Sequence, residues 1–500
     1  MTFLLISGPF GDCISNSSAI FLPLHWELLI GGHFFGGPCD QAIGKAVARS
    51  PWNGSLVGTY AEAGWPEVDA ALDAAADAFS TWRRSPRHER VALLRRIAAL
   101  ARERATELAE ILILEIGKPV AWSRGEVARL ALTFDVAADL LTAPMGQVVP
   151  VDYDPRGDGA GAVVERFPVG PVLAITPYNW PYNLAAHKIA PALAAGCTVV
   201  LKPSPLAALS SLALARLIHE AGCPPGVVNA VVCEPEVAER AALDPRVKVV
   251  SFTGSEAVGW RLKELLPHKR VVLELGGDAR VLVLEGADLD AVVAKTVAGA
   301  YGYAGQVCIS VQHVLAEASL AQELRDRLVA ATKDCPTGDP RDETTVCGPL
   351  IHAGAADRVQ EWVSEAVSGG AGLLAGGRRE DNVVWPTLLE SVPESLRLAC
   401  EEVFGPVATF AAFEDFEDMV ASANRSRGSI QVGVFTPRLD RARVAFEQLE
   451  TGAVVVNDVP TLRFDSVPYG GVGRSGWGRE GVAWAFQEFT EPRAWVVRWD

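Results

Sequence analysis

The chain has 500 residues, 49% of them hydrophobic and 21% charged, with a formal net charge of -16. That length allows two or three domains with large cores, and the acidic balance argues against a nucleic acid or an anionic membrane as partner, since either needs a basic face. Nine cysteines without a CxxC pair fit free thiols in a reducing compartment such as the cytoplasm, and eight histidines with no HExxH or close His/Cys cluster call for no metal.

The first stretch, Met1 to Leu24, is fairly apolar but has no Lys or Arg and is interrupted by Gly8, Pro9, Gly11 and Asp12. It is neither a secretory signal nor a spanning helix. Residues 1–25 are expected to be a disordered leader, with the fold starting near Trp26. Short strands and turns are expected to Tyr60. Apolar residues then recur at helical spacing over Val68 to Phe79, His88 to Ile116 and Ser123 to Leu141.

The run Val148 to Val151 and the run Ala162 to Arg166 flank Asp154-Pro155-Arg156-Gly157-Asp158-Gly159, which predicts a hairpin. It carries too little apolar mass to stand alone. From Gly170 strands and helices alternate, and most strands are near-continuous Val/Ile/Leu runs, as expected when both faces are buried. This predicts a doubly wound parallel sheet of the dinucleotide-binding kind up to Leu275. A second alternating region follows from Ala279 to about Asp458. The terminal strand Arg493 to Arg498 has no partner nearby in sequence and is expected to pair with the hairpin.

Three groups along this chain suit thiol chemistry at a carbonyl. Cys308 sits between the apolar Val307 and Ile309 after a run of small residues. Glu274 ends the apolar strand Val271-Val272-Leu273, where burial is costly and raises a carboxyl pKa, as a general base requires. Asn179 offers an amide in a Pro-Tyr-Asn-Trp-Pro turn. Taken singly, each also reads as a structural residue: a buried thiol, a strand-end carboxylate, an Asn closing a turn.

In order along the chain stand Asn179, Lys202-Pro203-Ser204, Phe252-Thr253-Gly254-Ser255, Glu274-Leu275-Gly276-Gly277, Gly305-Gln306-Val307-Cys308, Glu402-Val403-Phe404-Gly405-Pro406 and Pro468-Tyr469-Gly470-Gly471. That series resembles the NAD(P)-dependent aldehyde dehydrogenase superfamily over essentially everything from Trp26 onward. The resemblance implies an α/β fold with a Rossmann-type cofactor domain (26–145 and 169–274), an α/β catalytic domain (275–482) and a small β oligomerisation element (146–168 and 483–500). It implies a homodimer or homotetramer that oxidises a small aldehyde. Cys308 would be the nucleophile, passing through a thiohemiacetal and a thioester. Asn179 would be the oxyanion donor and Glu274 the base that activates water. Lys202, Ser204, Gly254, Ser255, Val258, Gly259, Gly276, Glu402 and Phe404 would bind the cofactor. Trp180, His187, Val307, Ile309, Arg463 and Tyr469 would line the aldehyde pocket.

Many relatives carry a Glu three positions after the motif lysine, and this chain has Pro205, so NAD and NADP both remain open. Arg463 has two readings of equal weight: a partner for a polar or anionic substrate tail, or an ion pair with Asp465. Val307 stands where some relatives have a basic residue, which weighs against a doubly charged substrate. Glu274 favours a free acid over a CoA thioester. The rivals are an acylating dehydrogenase, a thiol esterase that needs no cofactor, and a non-catalytic member of the family.

Overall fold

In a computed structural model, the structure describes residues 3–5, 21–23, 25–38, 40, 42–143 and 145–499. Within the stretch expected to be a leader, Phe3–Leu5 pairs antiparallel with Phe21–Pro23, and the remainder of it up to residue 24 lies outside the described residues.

The first sheet contains β1 (Leu28–Ile30), β2 (His33–Phe35), β3 (Val172–Thr176), β4 (Val199–Pro203), β5 (Val228–Ala230), β6 (Val249–Thr253) and β7 (Arg270–Glu274). The second contains β8 (Ala279–Val283), β9 (Val311–Glu317), β10 (Gly372–Ala375), β11 (Thr387–Glu390), β12 (Val407–Phe413), β13 (Gln431–Phe435) and β14 (Ala453–Val456). A last short strand, β15 (Gly476–Trp477), returns to the first sheet, whose order is β15-β7-β6-β3-β4-β5-β1-β2. The second sheet runs β10-β11-β12-β9-β8-β13-β14. From β7 to β5 the pairs are all parallel, and so are those from β11 to β14. β15 falls inside the stretch 275–482 read as the second domain, yet it pairs antiparallel with β7. The chain therefore rejoins the first layer before its end.

Helix α1 (Pro181–Ala195) has every residue buried, including Asn183, His187 and Lys188. A helix with no solvent face must satisfy its polar groups internally. Asn183 does so through Nδ2, which donates to the Thr133 hydroxyl at 3.3 Å, and the other two through contacts at the site described below. The helical stretch expected from His88 to Ile116 is broken at Arg104 into Arg87–Glu103 and Ala105–Ile116. The hairpin is present as Gln147–Val149 and Ala160–Pro168, and Thr490–Arg498 pairs antiparallel with its second strand along nine residues. This three-stranded element exposes Val148, Trp495 and Val496.

Among the described residues no helix is long and apolar enough to cross a membrane. Among the described residues no group of three His, Cys, Asp or Glu is placed to hold a metal, and the seven described cysteines are free thiols.

Candidate active site

Cys308 follows a strained turn. Tyr303 and Ala304 have φ of 53° and 54°, and Gly305 has φ of 67° with the Gly405 carbonyl oxygen 2.2 Å from where a Cβ would stand. Non-glycine residues in this region cost about 1 kcal/mol or more each, so the surroundings must hold the turn. Gln306 does much of that. Its side-chain amide donates to the carbonyls of Tyr303 and Pro349, both at 3.3 Å, and its Oε1 accepts from Ile351 N–H at 3.0 Å and from the Tyr178 hydroxyl at 3.2 Å. Its backbone carbonyl accepts from Asn179 Nδ2 at 2.9 Å. The amide of the Pro-Tyr-Asn-Trp-Pro turn is thereby tied to the cysteine loop, two residues before the thiol.

The Cys308 sulfur lies 3.1 Å from the Tyr469 hydroxyl. Burial pushes the thiol up to about 12, against the pull of that hydrogen bond. Val307, Ile309, Ile430 and Tyr469 form a small apolar cluster on which Trp180 and Cys308 pack.

Glu274 ends β7, buried, and neither carboxylate oxygen has a hydrogen-bond partner among the described residues. Burial, and then the charge of Glu480, raise its pKa well above 4.5, and Arg463, Lys188 and Arg479 oppose the rise. Lys188 and Arg463 are engaged elsewhere. Lys188 Nζ donates to Glu480 Oε1 at 2.7 Å, and Arg463 lies 3.4 Å from Glu480 Oε2. Glu480 is accordingly held down to about 2.

A carboxyl whose pKa is higher folded than unfolded binds more protons when folded. Its contribution to stability is full below the unfolded value near 4.5 and is lost as pH rises toward the folded value. Glu274→Gln is therefore expected to melt a few degrees above the parent near pH 8.5 and by a smaller margin near pH 5.5, as read by calorimetry. A margin that is flat or inverted across this range would contradict the assignment.

The ion pair between Arg463 and Asp465, one of the two readings of that arginine, does not form. Asp465 binds Arg129 Nη2 at 2.6 Å and His187 Nε2 at 2.8 Å, while Arg463 stacks on the Tyr469 ring at 3.6 Å and turns to Glu480. His187 is wholly buried, and burial lowers it to about 4, so it is neutral. Trp180 carries Lys118 Nζ 3.6 Å above its ring, and that lysine is neutralised by the buried Glu126. Around this pocket four nitrogens are buried with no partner among the described residues: Arg463 Nε, Arg129 Nε, Trp180 Nε1 and His187 Nδ1.

Beyond Cys308 a cavity of about 430 Å³ is lined by Ser255, Gly276, Gly277, Arg358, Glu402, Arg474 and Ser475, among others. Glu402 accepts from Gly277 N–H, and burial raises it to about 8, while its Oε1 has no partner. A Cβ at Gly276 would come within 2.0 Å of Glu402 Oε2, so only glycine fits there. Phe404 has φ of 43° and meets Tyr178 edge to face at 6.2 Å. Ser255 stands at the N-terminus of α2 (Glu256–Leu265) without capping it, and faces the cavity. Gly259 packs on Leu275, with Leu275 Cδ2 2.4 Å from a Cβ placed there, and Val258 is half exposed. Gly254 N–H donates to the Glu274 carbonyl at 3.0 Å, tying the start of that turn to β7. These glycines, an unspent helix N-terminus and an orphaned carboxylate oxygen make a cradle suited to a nucleotide's phosphates and hydroxyls. Lys202 is the penultimate residue of β4 and is buried. Ser204 is spent locally, its hydroxyl accepting from Leu206 N–H at 3.3 Å to cap a short turn.

Glu480, Lys188, Gln306, Arg129 and Asp465 belong to the site, and sequence reasoning assigned none of them this role. Lys188 follows His187 in a helix whose other residues, Asn183 apart, are mainly apolar, and a lysine in such a run is the signal of a buried ion pair.

A family model described as the aldehyde dehydrogenase family matches residues 40–495. The chain is 38% identical to 3-sulfolactaldehyde dehydrogenase of Priestia megaterium over 431 residues, 86% of this chain and 89% of that one. Its structure is similar to aldehyde dehydrogenase 21 from Physcomitrella patens in complex with the reaction product succinate, with a TM-score of 0.92 and 36% identity, covering 95% of this chain and 99% of that one. It is also similar to an NADP-dependent glyceraldehyde-3-phosphate dehydrogenase from Bacillus halodurans complexed with NADP, with a TM-score of 0.91 and 33% identity, covering 95% and 100%. The chain belongs to the aldehyde dehydrogenase family, and it is an NAD(P)-dependent enzyme that oxidises an aldehyde to the carboxylic acid.

Proposed function

We propose that the aldehyde is short and carries an anionic group at its far end, and that Cys308, Asn179 and Glu274 oxidise it through a thiohemiacetal and a thioester. The observation that carries the substrate class is the set of three buried, unpartnered N–H donors, Arg463 Nε, Arg129 Nε and Trp180 Nε1, the last packed on the same cluster as Cys308. Unmet donors at a buried site are costly, and an acceptor-rich ligand end meets that cost. The charges point the same way. Apart from Glu274, whose pKa burial raises, the three cations Arg463, Lys188 and Arg129 face the two carboxylates Glu480 and Asp465. One positive charge is left over for a carboxylate or sulfonate. The names of 3-sulfolactaldehyde and of the product succinate describe such molecules.

Cys308 loses its proton to solvent, and the thiolate attacks the carbonyl carbon. One hydrogen of the Asn179 amide is held by Gln306 O, which leaves the other, with the Cys308 backbone N–H, to donate to the developing oxyanion. When bound, the nicotinamide dinucleotide supplies the hydride acceptor. Glu402 and Phe404 would hold it at the thiol end of the cavity, with Gly254, Ser255, Val258, Gly259 and Gly276 along its phosphates and Lys202 at its adenosine end. Glu274 then takes a proton from the water that attacks the thioester. The Tyr469 hydroxyl stabilises the departing thiolate through its hydrogen bond to sulfur. The Gly146 to Phe167 hairpin and the C-terminal strand, with their exposed Trp495 and Val496, form the contact surface of a cytoplasmic homo-oligomer.

Steady-state kinetics on a pair of aldehydes of similar length tests the substrate class. Succinate semialdehyde is expected to exceed pentanal in kcat/KM by about 10²-fold or more. Arg463→Met should erase most of that ratio by raising KM for the anion, with little change for pentanal. Equal use of both aldehydes by the parent enzyme would rule out the proposed anion pocket.

A further inference from the structure

Asn179 and Cys308 both lie in turns, outside the helices and strands, so their relative position must be held by side chains. The Asn179 amide is fixed on one side by the Gln306 carbonyl. Its main chain is fixed from the other side by Lys118, whose Nζ donates to Asn179 O at 2.8 Å. Asn179 is buried and stands ahead of α1, so its carbonyl needs a donor from elsewhere in the fold.

Lys118 reaches this place through a tight corner. The helix Ala105–Ile116 stops on Gly117, whose φ is 64°, and Pro119 leads into the helix Val120–Leu140. A Cβ at Gly117 would stand 2.6 Å from Pro349 and 2.8 Å from Pro51, so only glycine lets the chain turn here. Lys118 and Glu126 of the next helix are both wholly buried and form an ion pair. Glu126 Oε1 accepts from Tyr182 N–H at 2.9 Å and from Asn183 N–H at 3.1 Å, in the first turn of α1. The ammonium lies 3.6 Å from the centre of the Trp180 ring and 4.7 Å from that of Tyr303. Tyr303 is the first positive-φ residue of the turn that leads to Cys308. One side chain therefore touches both walls of the oxyanion site, the Asn179-Trp180 turn and the cysteine turn.

A buried ion pair adds little stability over apolar side chains of the same volume, because desolvation offsets the attraction. What apolar side chains could not supply here is a donor for Asn179 O and an acceptor for the two N–H groups of α1. We propose that Lys118, paired with Glu126, is the positioning residue of the oxyanion site, locking the Asn179 main chain against the cysteine turn. The free amide hydrogen of Asn179 and the Cys308 N–H then converge on one oxygen. The inference rests on the reading of Asn179 as the oxyanion donor. Misplacing such a donor by about 1 Å costs up to about 10²-fold in rate.

The test is a double-mutant cycle read in the first turnover, with saturating cofactor and whichever of succinate semialdehyde and pentanal the parent uses better. Lys118→Met/Glu126→Gln replaces the pair by neutral side chains of similar length and keeps an oxygen for the two N–H groups of α1. It is expected to slow the burst of reduced nicotinamide about 10–10²-fold and to leave KM within about threefold of the parent. Asn179→Ala alone should slow the burst about 10²–10³-fold. In the Asn179→Ala background, replacing the pair should cost less than about threefold, because the donor it positions is already gone. Alkylation of Cys308 by iodoacetamide should keep the parent's rate, which a general loosening of the site would change. Glu126→Gln alone keeps the lysine and its bond to Asn179, and should follow the same pattern with a loss of about threefold to tenfold; it decides the question should the double replacement fail to fold. An equal loss in the Asn179→Ala background, or a parent-like burst in its absence, overturns the proposal and leaves Asn179 as the donor. A parent-like burst in Asn179→Ala overturns both.

Discussion

Cys308→Ala is expected to lower kcat/KM for every aldehyde by at least about 10⁴-fold while leaving dinucleotide binding intact. The other buried thiols are poor substitutes. Cys197 has its sulfur on the Phe489 carbonyl at 3.3 Å, and Cys347 is buried in the second core. The absorbance of reduced nicotinamide reads the loss. Cys308→Ser separates nucleophile from hydrogen bond: it keeps a hydroxyl for Tyr469 but lacks the thiolate, and it should be nearly as inactive as the alanine variant. Residual turnover within tenfold of the parent in Cys308→Ala would exclude this cysteine as the attacking group. Because burial holds the thiol near 12, alkylation of Cys308 by iodoacetamide should be slow at pH 7 and accelerate steadily into the alkaline range.

What is legible in the sequence depends on whether a signal is local. Parallel strands such as Val199–Pro203 announce themselves because burial on both faces demands a continuous apolar run. The C-terminal strand can be matched to the hairpin because neither has another partner, and Thr490–Arg498 does pair with Ala160–Pro168. Side-chain partners are legible only as motif members. Arg463 and Asp465 are two residues apart, which makes an ion pair look natural, yet Asp465 is taken by Arg129 and His187, both distant in sequence. Glu480 draws Lys188 across 292 residues. No spacing rule reaches that far, because the tertiary fold decides which charged groups meet. Gln306 is visible within the Gly-Gln-Val-Cys run, but its work of holding the turn on both sides emerges only when Tyr178, Pro349 and Ile351 are seen around it. The break at Arg104 has no Gly or Pro to mark it, and helical periodicity runs straight through.

Glu274→Gln is expected to release one equivalent of reduced cofactor per active site in a rapid burst and then to turn over about 10²–10⁴-fold more slowly than the parent. The amide fills the same space and removes the base, so attack by Cys308 and oxidation proceed while the thioester waits for water. Intact-protein mass spectrometry should then show the acyl group on the chain. Adding CoA should not restore turnover or yield an acyl-CoA; rapid thioester product in the parent with CoA would instead establish the acylating reading. Loss of the burst as well would place Glu274 in the first half-reaction and contradict its role as the base for hydrolysis. The surroundings explain why this carboxyl suits the task. Gly470 has φ of 156°, and a Cβ there would stand 2.7 Å from Glu274 Oε1, so the backbone leaves the carboxyl its room. Had Lys188 or Arg463 paired with Glu274, it would be a weak base fixed as the anion. Glu480 takes both cations and adds its own negative charge behind Glu274. Glu274 therefore accepts a proton readily once ionised, and because burial raises its pKa the rate of thioester hydrolysis should rise with pH as the carboxyl ionises. Glu480→Gln should free Lys188 and Arg463 to stabilise the Glu274 anion, move that rise to lower pH and lower the maximal rate, as a weaker base must.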